Sequence, residues 1–185
     1  KFQTGGDAYS NKCMVVNGVL DLQSTASRKV VFTSDRDDMY GGDSNGDYAA
    51  TSPSSSNWGY IRYNNPANVL HDAVVRYGGY LIEGGNWVNR MLWVSGSVPG
   101  TFEVRDSVLE NTGDQAIYAD GSPTLWVHDN TIRTSSQGVV GITGTIQDNV
   151  FTGLNVATSL SGTATVDGNT ITGGVTGIQV LGGSI

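Results

Sequence analysis

The sequence predicts an all-β chain wound into a solenoid, a parallel β-helix of about eight or nine coils at roughly twenty residues each. Three observations predict it. One short phrase, apolar, polar, turn residue, Ser or Asn, polar, apolar, returns at 104–109, 127–132, 146–151 and 166–171. Its fourth position holds Ser107, Asn130, Asn149 and Asn169, spaced 23, 19 and 20 residues apart, a period that marks repeat architectures. The chain also carries 26 Gly against 4 Pro, and its apolar positions alternate with period two, which argues against a helical solenoid.

Each phrase sets apolar residues on either side of a two-residue break rich in Asp, Asn and Gly. These residues tolerate the left-handed backbone of a sharp corner. A short strand precedes each break, as in Phe102 with Val104, Leu125 with Val127, and Ala164 with Val166. Another follows later, with apolar pairs at Ile117 and Ala119, Val139 and Gly141, Val156 and Thr158, and Ile178 and Val180. Three strands joined by corners make one coil, and successive coils stack at about 4.8 Å, so equal positions form columns. Ser107, Asn130, Asn149 and Asn169 are then expected to form a structural ladder. Its side-chain amides bond one another and the corner backbone groups that would otherwise be unsatisfied.

Residues 1–34 read as opening coils, with strands around the Asn17-Gly18 corner and at 29–33. Residues 35–57 read as a loop projecting from one corner of a single domain spanning 1–185, and its first thirteen residues hold five of the chain's seventeen carboxylates. Strand alternation returns at 58–63. Residues 69–79 are a degenerate copy of the phrase with Ala73 at the ladder position, and the 34 residues from there to Ser107 imply an intervening coil through 91–94.

The order of 31–38, 41–47, Trp58-Gly59-Tyr60-Ile61 and Val75-Arg76-Tyr77-Gly78-Gly79 resembles the right-handed parallel β-helix modules of large bacterial secreted and cell-surface proteins. The resemblance covers the chain from about Lys1 to Ile171 and implies right-handed winding and an extracellular or cell-surface location. Broader relatives of that fold include pectate lyases, other polysaccharide-active enzymes and adhesins, so it leaves activity open.

The formal net charge is −7, with 17 carboxylates against 10 Lys and Arg, which argues against nucleic-acid or anionic-membrane partners. No apolar run approaches the ~20 residues of a membrane span. The single Cys13 excludes an intrachain disulfide. Lys1-Phe2 and Gly183-Ser184-Ile185 read as coil-like sequence, so the chain is expected to be part of a longer protein with neighbouring domains.

Asp43, Asn45 and Asp47 stand at D-x-N-x-D spacing, which aims alternate oxygens at one point and suits a structural Ca2+. Tyr48 and Ser54 stand where an EF-hand wants Gly and a bidentate Glu, so further ligands would come from Asp35, Asp37 or Asp38. Trp126 is expected to point outward in the column Glu103, Trp126, Thr145, Thr165, as a platform on which a sugar stacks. Trp58, Trp87 and Trp93 are read as packing residues, and His71 and His128 as solvated. Asp106, Asp129 and Asp148 stack at the spacing of a glycosidase pair but occupy a turn position that favours Asp for backbone reasons. Glu110 and Arg133 read as an outward surface pair, and Arg62 and Arg76 are the nearest bases for lyase chemistry.

The expected function is a non-catalytic extracellular module for glycan binding, adhesion or structural spacing. The alternative is a polysaccharide-active enzyme, lyase before glycoside hydrolase. Ice binding by the threonine columns stands third, because Glu103, Trp126 and Arg133 interrupt them.

Overall fold

The computed structural model describes residues 1–4, 12–141 and 143–182. Part of the expected opening coil, 5–11, and the coil-like 183–185 lie outside the described residues. Among those described there is no helix. The strands are β1 (Met14–Val16), β2 (Val30–Phe32), β3 (Ile61–Tyr63), β4 (Val69–His71), β5 (Ala73–Arg76), β6 (Leu81–Glu83), β7 (Asn86–Val88), β8 (Arg90–Arg105), β9 (Val108–Glu110), β10 (Gln115–His128), β11 (Thr131–Arg133), β12 (Gln137–Gly141), β13 (Gly144–Gln147), β14 (Val150–Leu160), β15 (Ala164–Asp167) and β16 (Thr170–Val180).

Apart from the β6–β7 hairpin, every pairing between these strands is parallel, and the pairings make three faces of one solenoid. The first face stacks β4, the end of β8, the end of β10, β13 and β15. The second stacks β2, β5, β9, β11 and the starts of β14 and β16. The third stacks β1, β3, the starts of β8 and β10, β12, and the ends of β14 and β16.

In-register stacking places like residues over like. Leu70, Val104, Val127 and Ile146 make one buried inward column. Val75, Leu109, Ile132 and Phe151 make another, and Ile61, Leu92, Ile117 and Val139 a third. Each such side chain stabilises the fold by about 1.5–3 kcal/mol relative to exposure. Trp58 joins this core, stacked 4.3 Å from Phe2, with its indole N–H donating to the Arg76 carbonyl at 2.8 Å. A Cβ on Gly78 would lie 2.6 Å from that indole, which explains the glycine.

About four regular turns carry the phrase, against the eight or nine coils expected from length. Insertions account for the difference. Val74 pairs directly with Val108 and Leu70 with Val104, so no coil intervenes between Ala73 and Ser107. Part of that stretch forms the antiparallel hairpin β6–β7, closed by Gly84-Gly85 at φ +56° and +81°, a two-residue turn that needs positive φ at both positions. Val30 likewise pairs with Ala73, so the acidic segment is inserted within one turn. A second correction concerns register: Val139 lies opposite Thr158 and Gly141 opposite Leu160, so the apolar pair of that turn is shifted two residues from Val156 and Thr158. Leu154 and Ala157 are buried there, and corner residues of this kind have no fixed count in the repeat.

The ladder forms as expected. The backbone N–H of Ala73 donates to Ser107 Oγ, that of Ser107 to Asn130 Oδ1, that of Asn130 to Asn149 Oδ1, and that of Asn149 to Asn169 Oδ1, at 2.9–3.1 Å. Each Asn Nδ2 donates back to carbonyls, Asn149 to Val127 and Gln147 and Asn130 to Val104 and His128. The residue before each ladder position bends the chain, with Asp72, Asp106, Asp129 and Asp148 at φ +45° to +54° and Gly168 at φ +62°.

Candidate functional site

The outer surface of the first face is built by alternation. Because Val104 and Val127 point inward, their neighbours Glu103, Arg105, Trp126 and His128 point outward. Register then sets Val69, Glu103, Trp126, Thr145 and Thr165 in one column and His71, Arg105, His128, Gln147 and Asp167 in the next.

Trp126 is 40% exposed and lies nearly parallel to the His128 ring, with centroids 4.2 Å apart at 27°. His128 is held at both nitrogens, Nε2 at 3.1 Å from Glu103 Oε1 and Nδ1 at 2.7 Å from Asp129 Oδ2. Glu103 Oε1 also meets Arg105 Nε at 3.0 Å, and Arg105 reaches Asp106 at 2.8 Å, a bond that raises the Arg105 pKa further. The indole is therefore a fixed platform with a charged, hydrogen-bonding flank. A shallow recess of about 230 Å³ continues along the surface, lined by Leu20, Leu22, Val69, His71 and Arg105. His71 meets Asp72 at 3.0 Å. Both histidines point outward as expected, yet they are engaged by carboxylates rather than merely solvated. Glu103 and Trp126 share the expected column, and Arg105 and His128, which the spacing did not join to it, both bind Glu103 beside the indole.

The acidic segment uses its carboxylates locally. Asp43 accepts from the backbone N–H groups of Gly46, Asp47 and Tyr48 at 2.7–3.1 Å. Asp47 accepts from Ala50 and Thr51 backbone N–H, from Asn45 Nδ2 and from the Thr51 hydroxyl; these bonds, the Thr51 hydroxyl first, lower its pKa. Asp35 binds Thr4, and buried Asp37 accepts from Thr33 Oγ1 at 2.6 Å and lies 3.6 Å from Arg76. Asp38 is half-buried. Among the described residues, no group of three or more His, Cys, Asp or Glu is arranged to hold a metal ion.

Arg76 is buried, 3.3 Å from Glu110, which also accepts from Arg133 at 2.7 Å. The expected Glu110–Arg133 pair thus forms with Arg133 half exposed, but Glu110 itself is buried and also pairs with Arg76, which ties it to Asp37 of the acidic loop. The four phrase-associated Asp residues have their left-handed backbone in common, which accounts for their column without catalysis.

On the third face, sequence reasoning missed a strip of cations on aromatic rings. Arg62, Trp93 and Tyr118 are register neighbours pointing outward. The Arg62 guanidinium lies 4.1 Å from the Trp93 ring centroid, and that of Arg90 lies 4.3 Å from Trp93 and 4.0 Å from Tyr118. Alternation alone signals that these residues face outward, but the hairpin insertion hides their shared column. Trp87, on the hairpin, packs beside Tyr80.

No helix among the described residues is long and apolar enough to cross a membrane. Comparisons with protein-family models, curated proteins and solved structures found no match to this chain.

Proposed function

We propose that this protein is a non-catalytic extracellular module that binds glycans on the outer surface of its first face, with Trp126 as the stacking platform. The observation that carries the reading is the exposed indole stacked on a histidine whose two nitrogens are both occupied by carboxylates. Such an aromatic surface costs little ordering on binding, and the flanking Glu103 and Arg105 offer an acceptor and donors to sugar hydroxyls. Rungs about 4.8 Å apart suit a linear polysaccharide lying along the solenoid. A rigid stack of this kind also serves adhesion and the spacing of neighbouring domains.

Right-handed winding and export from a bacterial cell belong to this reading through the family resemblance. A structural Ca2+ in the acidic loop is also part of it, on separate grounds: the Asp43-x-Asn45-x-Asp47 spacing and the exposure of Asp43 and Asn45. Millimolar calcium is expected to raise the melting temperature of the wild type over EDTA, and an Asp43→Ala/Asp47→Ala variant is expected to lose that rise. Equal melting temperatures with calcium and with EDTA would leave those carboxylates as caps for loop N–H groups.

A second reading, a polysaccharide-active enzyme, lyase before hydrolase, is favoured by the contact of Glu103 with His128 and Arg105 beside Trp126. One experiment separates the two. Depletion of the protein from solution by insoluble cellulose, xylan, chitin and pectin is measured for wild type and Trp126→Ala, with new reducing ends and unsaturated products assayed in the same tubes. Binding lost in the variant without product formation is the expected result. Product formation abolished by Glu103→Gln would establish the enzyme.

A further inference from the structure

We infer that the outer surface of the third face carries a second, separate subsite, built on Arg62 and Arg90, that takes the carboxylate of an acidic sugar. A guanidinium lying on an aromatic ring keeps its N–H donors at the ring's edge, where a carboxylate meets them in the guanidinium plane. Arg62 is held this way by Trp93, and Arg90 by Trp93 and Tyr118. The side-chain ordering that normally opposes carboxylate capture has therefore already been met in the free protein.

The charges on this strip are incompletely compensated. Asp120 lies 3.6 Å from Arg90 Nη1 and accepts from Trp93 Nε1 at 3.2 Å, so one carboxylate serves this end of the strip. Arg62 has no carboxylate within ion-pair distance among the described residues, and the Nε atoms of Arg62 and Arg90 are both buried without a hydrogen-bond partner. A chain with net charge −7 thus leaves a positioned cation without a counterion. The Nε atoms are enclosed, so an incoming carboxylate meets the Nη groups, and it supplies Arg62 with the counterion that it lacks.

Asp120 also narrows the ligand class. Its carboxylate repels a doubly charged phosphate more than a singly charged carboxylate, and it accepts hydrogen bonds from hydroxyls. The strip therefore suits a singly charged carboxylate carried on a ring rich in hydroxyls, which is a uronic-acid-type sugar. It lies on a different face from Trp126, so it stands whether or not Trp126 binds glycan.

The test is titration of the 15N-labelled protein at fixed ionic strength with D-glucuronate, D-glucose and inorganic phosphate, following the arginine Nε–Hε and tryptophan Nε1–Hε1 resonances. Saturable shifts at Arg62, Arg90 and Trp93 with glucuronate alone are expected, with a dissociation constant of about 1–10 mM. Arg62→Gln is expected to weaken this at least about tenfold and Arg62→Lys by less, since lysine restores the charge but not the fork. Absence of saturable shifts in the wild type overturns the proposal without reference to any variant. An equal response to phosphate means an adventitious anion only and also overturns it, as does unchanged affinity in a folded Arg62→Gln protein.

Discussion

Replacing Asn149 by alanine removes one rung of the ladder at its best-covered point. Asn149 is buried; its Oδ1 accepts from the backbone N–H and the Nδ2 of Asn130, and its Nδ2 donates to the carbonyls of Val127 and Gln147. The substitution leaves a buried N–H and two carbonyls without that partner, in a space too enclosed for easy replacement by solvent. Orphaned buried groups cost about 1–3 kcal/mol each, with carbonyls at the low end, so a loss of about 3–4 kcal/mol is expected. Asn169 makes equivalent bonds in a more exposed setting, where water substitutes, so Asn169→Ala is expected to cost about 1–2 kcal/mol. Urea unfolding followed by far-ultraviolet circular dichroism measures both. A cost for Asn149→Ala of 1 kcal/mol or less, or equal costs at the two positions, would refute the reasoning that the ladder satisfies buried backbone.

Other perturbations probe separate parts of the fold. Arg76→Ala strips the buried Asp37 and Glu110 of a shared cation, and a loss of about 3 kcal/mol is expected, with faster proteolysis within residues 38–50. Thr158 Oγ1 is buried without a hydrogen-bond partner in an otherwise apolar column, so Thr158→Val is expected to stabilise by about 1 kcal/mol in the same urea assay. Asp148 holds φ +53°, so Asp148→Ala is expected to cost about 1 kcal/mol while Asp148→Gly costs clearly less; equal costs would mean that the lost carboxylate, absent from both variants, outweighs the backbone. The depressed pKa of Asp47 means that its contribution to loop order is present above the ordinary value of 3.8 and is lost as pH falls through its lower folded value. Carboxyl titration by NMR should show that midpoint below 3.8, moving upward in Thr51→Val.

The solenoid was legible because its signal repeats: each recurrence of the phrase reinforces the same columns, and an Asn at a corner has a backbone reason to be there. Trp126 was legible for the same reason, since alternation about Leu125 and Val127 leaves it one direction to point. Its column neighbours Glu103, Thr145 and Thr165 were legible too, but the contact of Glu103 with His128 was not, because it joins two columns whose register depends on corner lengths that vary from turn to turn. The two insertions were harder still. A hairpin of two short strands reads like another coil until its partner strands are known, and so the spacing from Ala73 to Ser107 suggested a turn that does not exist. That insertion also concealed the Arg62, Trp93 and Tyr118 column and the burial of Glu110 beneath Arg76. The D-x-N-x-D spacing suggests a cation, yet the same oxygens satisfy loop N–H groups, two roles that share one sequence pattern.

The measurement that most directly tests recognition on the first face is a 1H–15N titration of the wild type with a soluble oligosaccharide of whichever polysaccharide captures it, reading the indole N–H signals. The Trp126 indole and the His128 backbone amide are expected to shift saturably, with Trp58 unmoved in the core and Trp87 unmoved on the hairpin. Saturable binding that shifts Trp87 or Trp93 while leaving Trp126 in place would contradict the assignment of the recognition surface to the first face.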